Sequence, residues 1–311
     1  MKNFHSLNLY SLNDNFMELK NLFINKKLPN KMILSGPKGI GKATLSYHFI
    51  NYVLSLKEND SYNLKQCCIN PKNRSFILMN NLTHPNFHLI DLQEGKISID
   101  VSQIRSIVSE IKKSNFNDLP RFVMIDNAEF LNKNSVNALL KIIEEPNFNV
   151  CFILIQNSNY KMLDTLRSRC YLFKVRISHK DTIKIVNSLH NIDIYKKISN
   201  ELINFYFTPR DFLFLLKISD DYNIDLSKYS LNNLLKLMLE KKVYKKNNEY
   251  KEFFYRLTHM YIFKYYKKKI YQSKFYNAYL SILKKIKEVE LYNLDTDNFL
   301  IEFKKLILHE K

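Results

Sequence analysis

The chain has 311 residues, of which 46% are hydrophobic and 25% are charged. These values are ordinary for a globular protein and exclude fibrous and disordered classes. At roughly 100–200 residues per domain, the length predicts two or three domains. No apolar run reaches the roughly 18 residues of a membrane-spanning helix. The N-terminus has no apolar core of a secretory signal, and the four cysteines are too few for a disulfide framework. We therefore expect a reducing, cytoplasmic compartment.

The chain carries 48 basic and 30 acidic residues, a formal net charge of +18. Such an excess suggests an anionic partner such as nucleic acid. Only 8 of the basic residues are arginine, and the excess is spread along the chain. A general preference for lysine explains this distribution as well, so charge alone does not decide whether DNA is bound. Where lysine is the usual cation, each arginine suggests a use for its planar guanidinium.

Apolar segments alternate in type along the first half of the chain. Short continuous runs typical of buried strands occupy residues 31–35, 87–90, 122–126, 151–155 and 171–175. Helical spacing of apolar residues occurs at 45–56, 101–111 and 136–143. Residues 57–85 are polar and are predicted to form an irregular connection. Buried strands that alternate with helices indicate an α/β fold, with a parallel sheet covered on both faces, over residues 1–176.

The second half of the chain is predicted to be helical. Strand signals fade after residue 176, and short helices are predicted at 182–189, 195–205 and 211–218. Residues 230–311 are rich in Leu, Ile, Tyr, Phe and Lys and contain no glycine. We therefore expect a small helical region over 177–225 and an all-helical domain over 226–311.

The most specific motif is G-x-x-x-x-G-K, present as Gly36-Pro37-Lys38-Gly39-Ile40-Gly41-Lys42. Three of the four glycines in the chain lie here, between a predicted strand and a predicted helix. Glycines let backbone N–H groups converge on phosphate oxygens, and Lys42 would reach the terminal phosphates. The motif predicts a P-loop that binds a nucleotide.

Two positions depart from an active P-loop ATPase. The residue after the lysine should carry a hydroxyl for Mg²⁺, but it is Ala43, and Thr44 lies one place further. A shift of one helical residue rotates a side chain by about 100°, which makes Thr44 a poor substitute. Asp126 ends an apolar strand where a metal-binding Walker B acid is expected. It is followed by Asn127, which cannot accept a proton from water, while Glu129 lies two places further.

Two later segments identify a family resemblance. Following the two Walker segments at this spacing are Asn137-Ala138-Leu139-Leu140-Lys141-Ile142-Ile143-Glu144-Glu145-Pro146 and Ser168-Arg169-Cys170. Together they resemble the bacterial AAA+ clamp-loader subunits, over roughly residues 15–215. The resemblance implies an AAA+ domain, a helical lid and a helical collar that joins subunits into a ring, which we expect at 1–176, 177–225 and 226–311.

The resemblance also implies roles for particular residues. Arg169 corresponds to an arginine that acts in trans on the ATP of a neighbouring subunit. Arg210, in Thr208-Pro209-Arg210, resembles a lid arginine that contacts the γ-phosphate in cis. Many relatives carry a four-cysteine zinc module, but only Cys67 and Cys68 lie in that region. Two adjacent thiolates cannot form a tetrahedral zinc site, so we expect no zinc.

The function implied is that of a DNA polymerase III clamp-loader subunit in DNA replication. Its partners would be the gamma/tau and delta subunits, the sliding clamp and, through the complex, primer–template DNA, with no membrane. Ala43 and Asn127 favour a subunit whose own ATP hydrolysis is weak or absent, with ATP binding possible but weak coordination of Mg²⁺. Two alternatives remain: an active motor of gamma/tau type that uses Thr44 and Glu129, and another P-loop ATPase acting on DNA.

Overall fold

The computed structural model describes most of the chain and divides it into two compact units. The described residues are 6–93, 95–111, 118–144, 149–266, 280, 281 and 284. The units are Met1–Ile185 and Val186–Lys311. The division falls a few residues after the predicted end of the α/β domain at residue 176. Most of the predicted collar after residue 266 lies outside the described residues.

The first unit alternates strands with helices. Its strands are β1 (Lys31–Gly36), β2 (Phe87–Ile90), β3 (Arg121–Ile125), β4 (Val150–Asn157) and β5 (Tyr171–Lys174). Its helices are α1 (Asn13–Ile24), α2 (Lys42–Leu54), α3 (Arg74–Asn80), α4 (Val101–Ile111), α5 (Lys133–Glu144) and α6 (Asp164–Arg167). All five strands occur where apolar runs predict them.

The strands form one sheet in the order β2-β3-β4-β1-β5, in which every pair is parallel. Apolar side chains of β1 alternate between two cores because successive residues of a strand face opposite sides. Leu34 packs with α1 and α2, while Ile33 packs with α4 and α5. This arrangement confirms the predicted α/β class with a parallel sheet covered on both faces.

The prediction of an irregular connection over residues 57–85 is wrong for its last part, where α3 forms. The side chain of Asn73 caps this helix by accepting the backbone N–H of Phe76 at 2.6 Å. Met79 is fully buried, and Phe76 packs against the same core. The polar composition of this segment gives no clear helical signal, and α3 is stabilised by its contacts with the core.

The second unit is helical in its described part. After α7 (His179–His190), which crosses the division, it contains α8 (Ile194–Lys197), α9 (Pro209–Tyr222), α10 (Leu231–Glu240) and α11 (Asn248–Tyr266). The helix predicted at 195–205 is therefore wrong after residue 197. Ile198 adopts extended backbone with its side chain buried, and the Ser199 N–H donates to the carbonyl of Leu226 at 3.0 Å. These tertiary contacts redirect the chain.

Helices α9 and α11 pack through aromatic rings. Phe214 stacks on Phe253 with a centroid distance of 5.4 Å, and Phe207 lies 6.2 Å from the same ring. Asp211, buried at the start of α9, pairs with Arg256. The predicted lid and collar regions thus share one core across residue 225. In the described part of the chain, no helix is both long enough and apolar enough to cross a membrane.

Replacing Phe253 by alanine should loosen this core. Its side chain is fully buried, and such truncations cost about 3–5 kcal/mol. Hydrogen exchange of backbone amides in α9 and α11, followed by mass spectrometry, should accelerate accordingly. Phe263→Ala is the matched control, because Phe263 lies on the same helix and is 66% exposed. Equal exchange in the two variants would contradict this packing.

Candidate nucleotide-binding site

The loop between β1 and α2 has a backbone shape that requires glycine. Gly39 and Gly41 have φ values of 88° and 94°, in the left-handed region. At Gly36 a Cβ atom would lie 2.5 Å from the carbonyl oxygen of Val175. Helix α2 begins directly after the loop at Lys42. The loop therefore leads directly into a helix N-terminus, an arrangement that favours a bound phosphate.

The ammonium of Lys42 is buried beneath this loop. Its Nζ donates to the carbonyl oxygens of Gly36 at 2.8 Å and Pro37 at 2.7 Å. Burial lowers the pKa of Lys42 to about 8, although the nearby carboxylates of Asp126 and Glu129 oppose that shift. Phosphate oxygens entering the loop would replace the two carbonyls as acceptors.

Asp126 follows β3, as predicted, and its backbone N–H donates to the carbonyl of Ile90 at 2.9 Å. Its carboxylate accepts the backbone N–H of Asn127 at 2.8 Å. Asn127 has a φ of 54°, a left-handed conformation that asparagine tolerates. Its side-chain amide donates to Asp91 at 2.7 Å. The amide therefore contacts a carboxylate where an ATPase would use an acid to activate water.

Glu129 lies close to Lys42, although its place in the sequence did not predict this. It sits in the short 3-10 helix Ala128–Phe130, and its carboxylate accepts the N–H of Asn157 at 3.1 Å. Asn157 is the register partner of Gly36. Burial raises the pKa of Glu129, while hydrogen bonds and the Lys42 ammonium oppose the shift. The carboxylate thus forms part of the loop's electrostatic surroundings.

Three residues that contact the predicted site were not singled out from the sequence. Asp91 directly follows β2, and Asn157 is the last residue of β4. Both end apolar strands, which is the signal that identified Asp126. Glu144 contacts Arg169, and it belongs to the segment that carries the family resemblance. Applying the strand-end argument to every strand would have found the first two.

Residues 43 and 44 occupy the start of α2, where the sequence places the metal-binding hydroxyl of an active ATPase. Ala43, the second residue of α2, packs against the core, and Thr44 is half-buried one residue further along the helix. Asp126 offers a carboxylate, but position 43 offers no oxygen. Among the described residues no group of three or more His, Cys, Asp or Glu side chains could hold a metal ion.

Arg169 lies at the surface and has a fixed orientation. Its Nε donates to Glu144 at 2.6 Å, and its Nη1 donates to the carbonyl of Thr165 at 3.0 Å. Leu166 is fully buried and Cys170 packs against the same core, so the backbone on both sides is anchored. Two edges of the guanidinium are held while 44% of the side chain is exposed.

Arg210 belongs to the second unit. It pairs with Glu249 and lies over the ring of Phe214, with 5.5 Å from its Cζ to the ring centroid. Its side chain is 28% exposed. These contacts explain an ordered guanidinium, and the predicted contact of Arg210 with a γ-phosphate stays a prediction.

A parallel sheet with a glycine-rich loop after the internal strand β1, a buried lysine and a strand-end aspartate defines a P-loop domain. The family model for "DNA polymerase III, delta subunit" matches residues 12–179, more than half of the chain. The chain belongs to this family, which confirms the resemblance predicted from the sequence.

Curated relatives agree with this assignment. DNA polymerase III subunit delta' of Buchnera aphidicola subsp. Baizongia pistaciae is 34% identical over 48% of this chain and 44% of its own length. The same subunit of Pseudomonas aeruginosa is 30% identical over 44% of this chain and 40% of its own. The matched segment of this chain thus spans less than half the length of these two relatives. Among solved structures, a DNA polymerase III gamma subunit-related protein from Thermotoga maritima is similar to this chain. The match covers 93% of this chain and 98% of that protein, with a TM-score of 0.48 and 15% sequence identity.

Nucleotide binding should depend on pH through Lys42. In the free chain the pKa is about 8, and a bound phosphate would hold the proton. The affinity for ADP in magnesium-free buffer should therefore fall about tenfold from pH 8 to about pH 9.5, as isothermal titration calorimetry can measure. In a Lys42→Arg variant the cation stays charged throughout, so this fall should vanish. An equal fall in both proteins would contradict the role of Lys42.

Proposed function

We propose that the chain is a clamp-loader subunit of DNA polymerase III that acts in DNA replication in the cytoplasm. It would organise an AAA+ ring with gamma/tau and delta subunits and help to load the sliding clamp onto primer–template DNA. Residues 226–311 would form the collar that joins the subunits. The family match over residues 12–179 and the delta' relatives support this proposal.

We further propose that the chain binds a nucleotide and hydrolyses it poorly. The loop keeps its glycines and Lys42, which bind phosphate. Ala43 lacks the hydroxyl that would bind the metal ion, and the amide of Asn127 donates to Asp91 at 2.7 Å. Without a metal-binding hydroxyl at position 43 and a carboxylate base at position 127, hydrolysis of the bound nucleotide would be slow.

The surface geometry of Arg169 carries the proposal that it acts in trans. Glu144 and the Thr165 carbonyl hold the Nε and Nη1 edges at 2.6 and 3.0 Å. Among the described residues none accepts a hydrogen bond from Nη2, so this edge can donate to a phosphoryl oxygen of a neighbouring subunit. A positioned guanidinium stabilises the charge that develops during phosphoryl transfer.

The active-motor alternative is favoured by one observation, the position of Glu129. Its carboxylate lies near Lys42, and burial raises its pKa, which suits a general base. The same carboxylate already accepts the N–H of Asn157 at 3.1 Å. We therefore assign Glu129 to holding the loop, with hydrolysis by the isolated chain as the deciding measurement.

Turnover of ATP by the purified chain should lie at least about 100-fold below the ~1 s⁻¹ of slow ordinary enzymes, because two activating groups are absent. Ala43→Thr combined with Asn127→Glu and Asp91→Asn should raise it, the last change relieving repulsion between two carboxylates. Ala43→Val in place of Ala43→Thr is the matched control, since it adds the same shape without a hydroxyl. Wild-type turnover near 1 s⁻¹ that Glu129→Gln abolishes would instead establish the active motor.

Arg169→Ala should reduce clamp loading and DNA-stimulated ATPase activity of a reconstituted complex. A trans arginine contributes roughly 10³–10⁵ in rate in GTPases, and a ring with several ATP sites should lose less overall. The Arg169→Lys complex should load clamps as poorly as the Arg169→Ala complex. A lysine ammonium lacks the planar fork with which arginine contacts Glu144, Thr165 and a phosphate at the same time. Arg176→Ala, at an exposed position nearby in sequence, is the control. Normal loading by an assembled Arg169→Ala complex would make Arg169 structural.

A further inference from the structure

A cavity of about 390 Å³ lies at the carboxyl edge of β4, β1 and β5. Its volume is within the range of sites for small molecules, and ligands of open α/β sheets bind at this edge. Neither the sequence analysis nor the proposed function uses it. Its lining includes Ser35, Gln156, Tyr160, Lys161, Arg167 and Lys174.

The floor of the cavity is a polar row across three strands. Ser35 of β1 is in register with Gln156 of β4 and with Lys174 of β5. Register partners of parallel strands face the same side of a sheet. The row two residues earlier on the same face is apolar and packs in the core: Ile33, Leu154 and Leu172. The core therefore ends where the cavity begins.

The charge of the lining is entirely positive. Lys161, Arg167 and Lys174 contribute three cations, and no aspartate or glutamate is among the lining residues. Lys161 lies 3.5 Å from Asp164, and both side chains are more than 70% exposed. Within the described ranges neither Arg167 nor Lys174 has an acidic partner. Hydroxyl and amide groups add neutral donors to this cationic surface.

The cavity walls are held in place by contacts of their own. The side-chain amide of Gln156 donates to the carbonyl of Tyr160 at 2.9 Å, which fixes the loop after β4. The ring of Tyr160 lies 5.7 Å from that of Phe130. Leu166 is fully buried and anchors α6, from which Arg167 extends. Preorganised walls lower the cost of ordering the site around a ligand.

The cavity adjoins the P-loop, since the Ser158 N–H donates to the Gly36 carbonyl at 3.0 Å, but neither Lys42 nor Arg169 lines it. Ser35 faces the side of the sheet that α4 and α5 cover, whereas α2 packs on the opposite side. Arg169 follows Arg167 by two residues but turns to Glu144 and Thr165. The lining cations are therefore a different set from Lys42 and Arg169.

We propose that this cavity binds a small ligand with two or more adjacent phosphate groups. Three cations around one enclosure match the charge of such a ligand, and the arginine fork suits bidentate contact with phosphate oxygens. A nucleoside polyphosphate and an inorganic polyphosphate share this chemistry. The proposal does not depend on hydrolysis by the P-loop or on assembly into a ring.

The test is isothermal titration calorimetry of the full chain with inorganic tripolyphosphate at low salt. The chain carries Lys42→Met, which removes the phosphate-binding lysine of the P-loop. Adding Arg167→Gln and Lys174→Gln should weaken binding at least about tenfold, as expected for loss of charged hydrogen bonds. Arg176→Gln with Lys180→Gln removes the same charge from exposed positions outside the cavity and should change affinity less than about twofold.

Equal losses in the two double variants, or no loss in either, would overturn the proposal. If Lys42→Met prevents folding, NMR of the arginine side chains in the wild-type chain replaces the calorimetric test. The Arg167 signal is assigned by its loss in an Arg167→Lys variant. The Arg167 signal should move on titration with tripolyphosphate while the Arg176 signal stays, and the reverse would refute the site. The same variants are also titrated with a short DNA duplex. If they weaken binding of the duplex but not of tripolyphosphate, the proposal is wrong and the site binds a nucleic-acid backbone.

Discussion

The pairing of β1 with both β4 and β5 is the constraint on which the candidate site depends. The Val175 N–H donates to the carbonyl of Ser35 at 2.9 Å, and the Val175 carbonyl approaches Gly36 so closely that a Cβ atom would lie 2.5 Å away. The same register sets Asn157 beside Gly36, where its N–H binds Glu129. Loosening this pairing would move the loop, its acidic neighbours and the floor of the basic cavity together.

The buried ammonium of Lys42 is the main electrostatic problem of the loop. Burial without partners would cost several kcal/mol or neutralise the group. Two carbonyl acceptors and the nearby Asp126 and Glu129 carboxylates offset this cost, and a pKa of about 8 leaves the lysine mostly charged at neutral pH. Glu129 therefore has a structural use without nucleotide, and its presence alone does not argue for catalysis.

The sequence predicts what local pattern determines and misses what distant contacts decide. Apolar runs identified every strand, and three clustered glycines identified the loop, because these signals are contained within a few residues. Helix α3 was missed because its capping residue Asn73 is held by Asn51 and the Asp60 carbonyl and because the core buries Met79. The helix predicted after residue 197 is absent because Ser199 bonds to Leu226. Glu144 became a site residue only when folding brought it to Arg169, 25 residues away.

The contact between Glu144 and Arg169 joins the two segments that carried the family resemblance. An exposed ion pair contributes only about 0–1 kcal/mol to folding stability, so this pair does little to stabilise the fold. Its main effect is on orientation, since Glu144 and the Thr165 carbonyl hold two edges of the planar Arg169 guanidinium. A lysine ammonium in the same place would have to share one nitrogen between them and a phosphate. The pair therefore makes physical sense as a support for the proposed action of Arg169 on a neighbouring subunit.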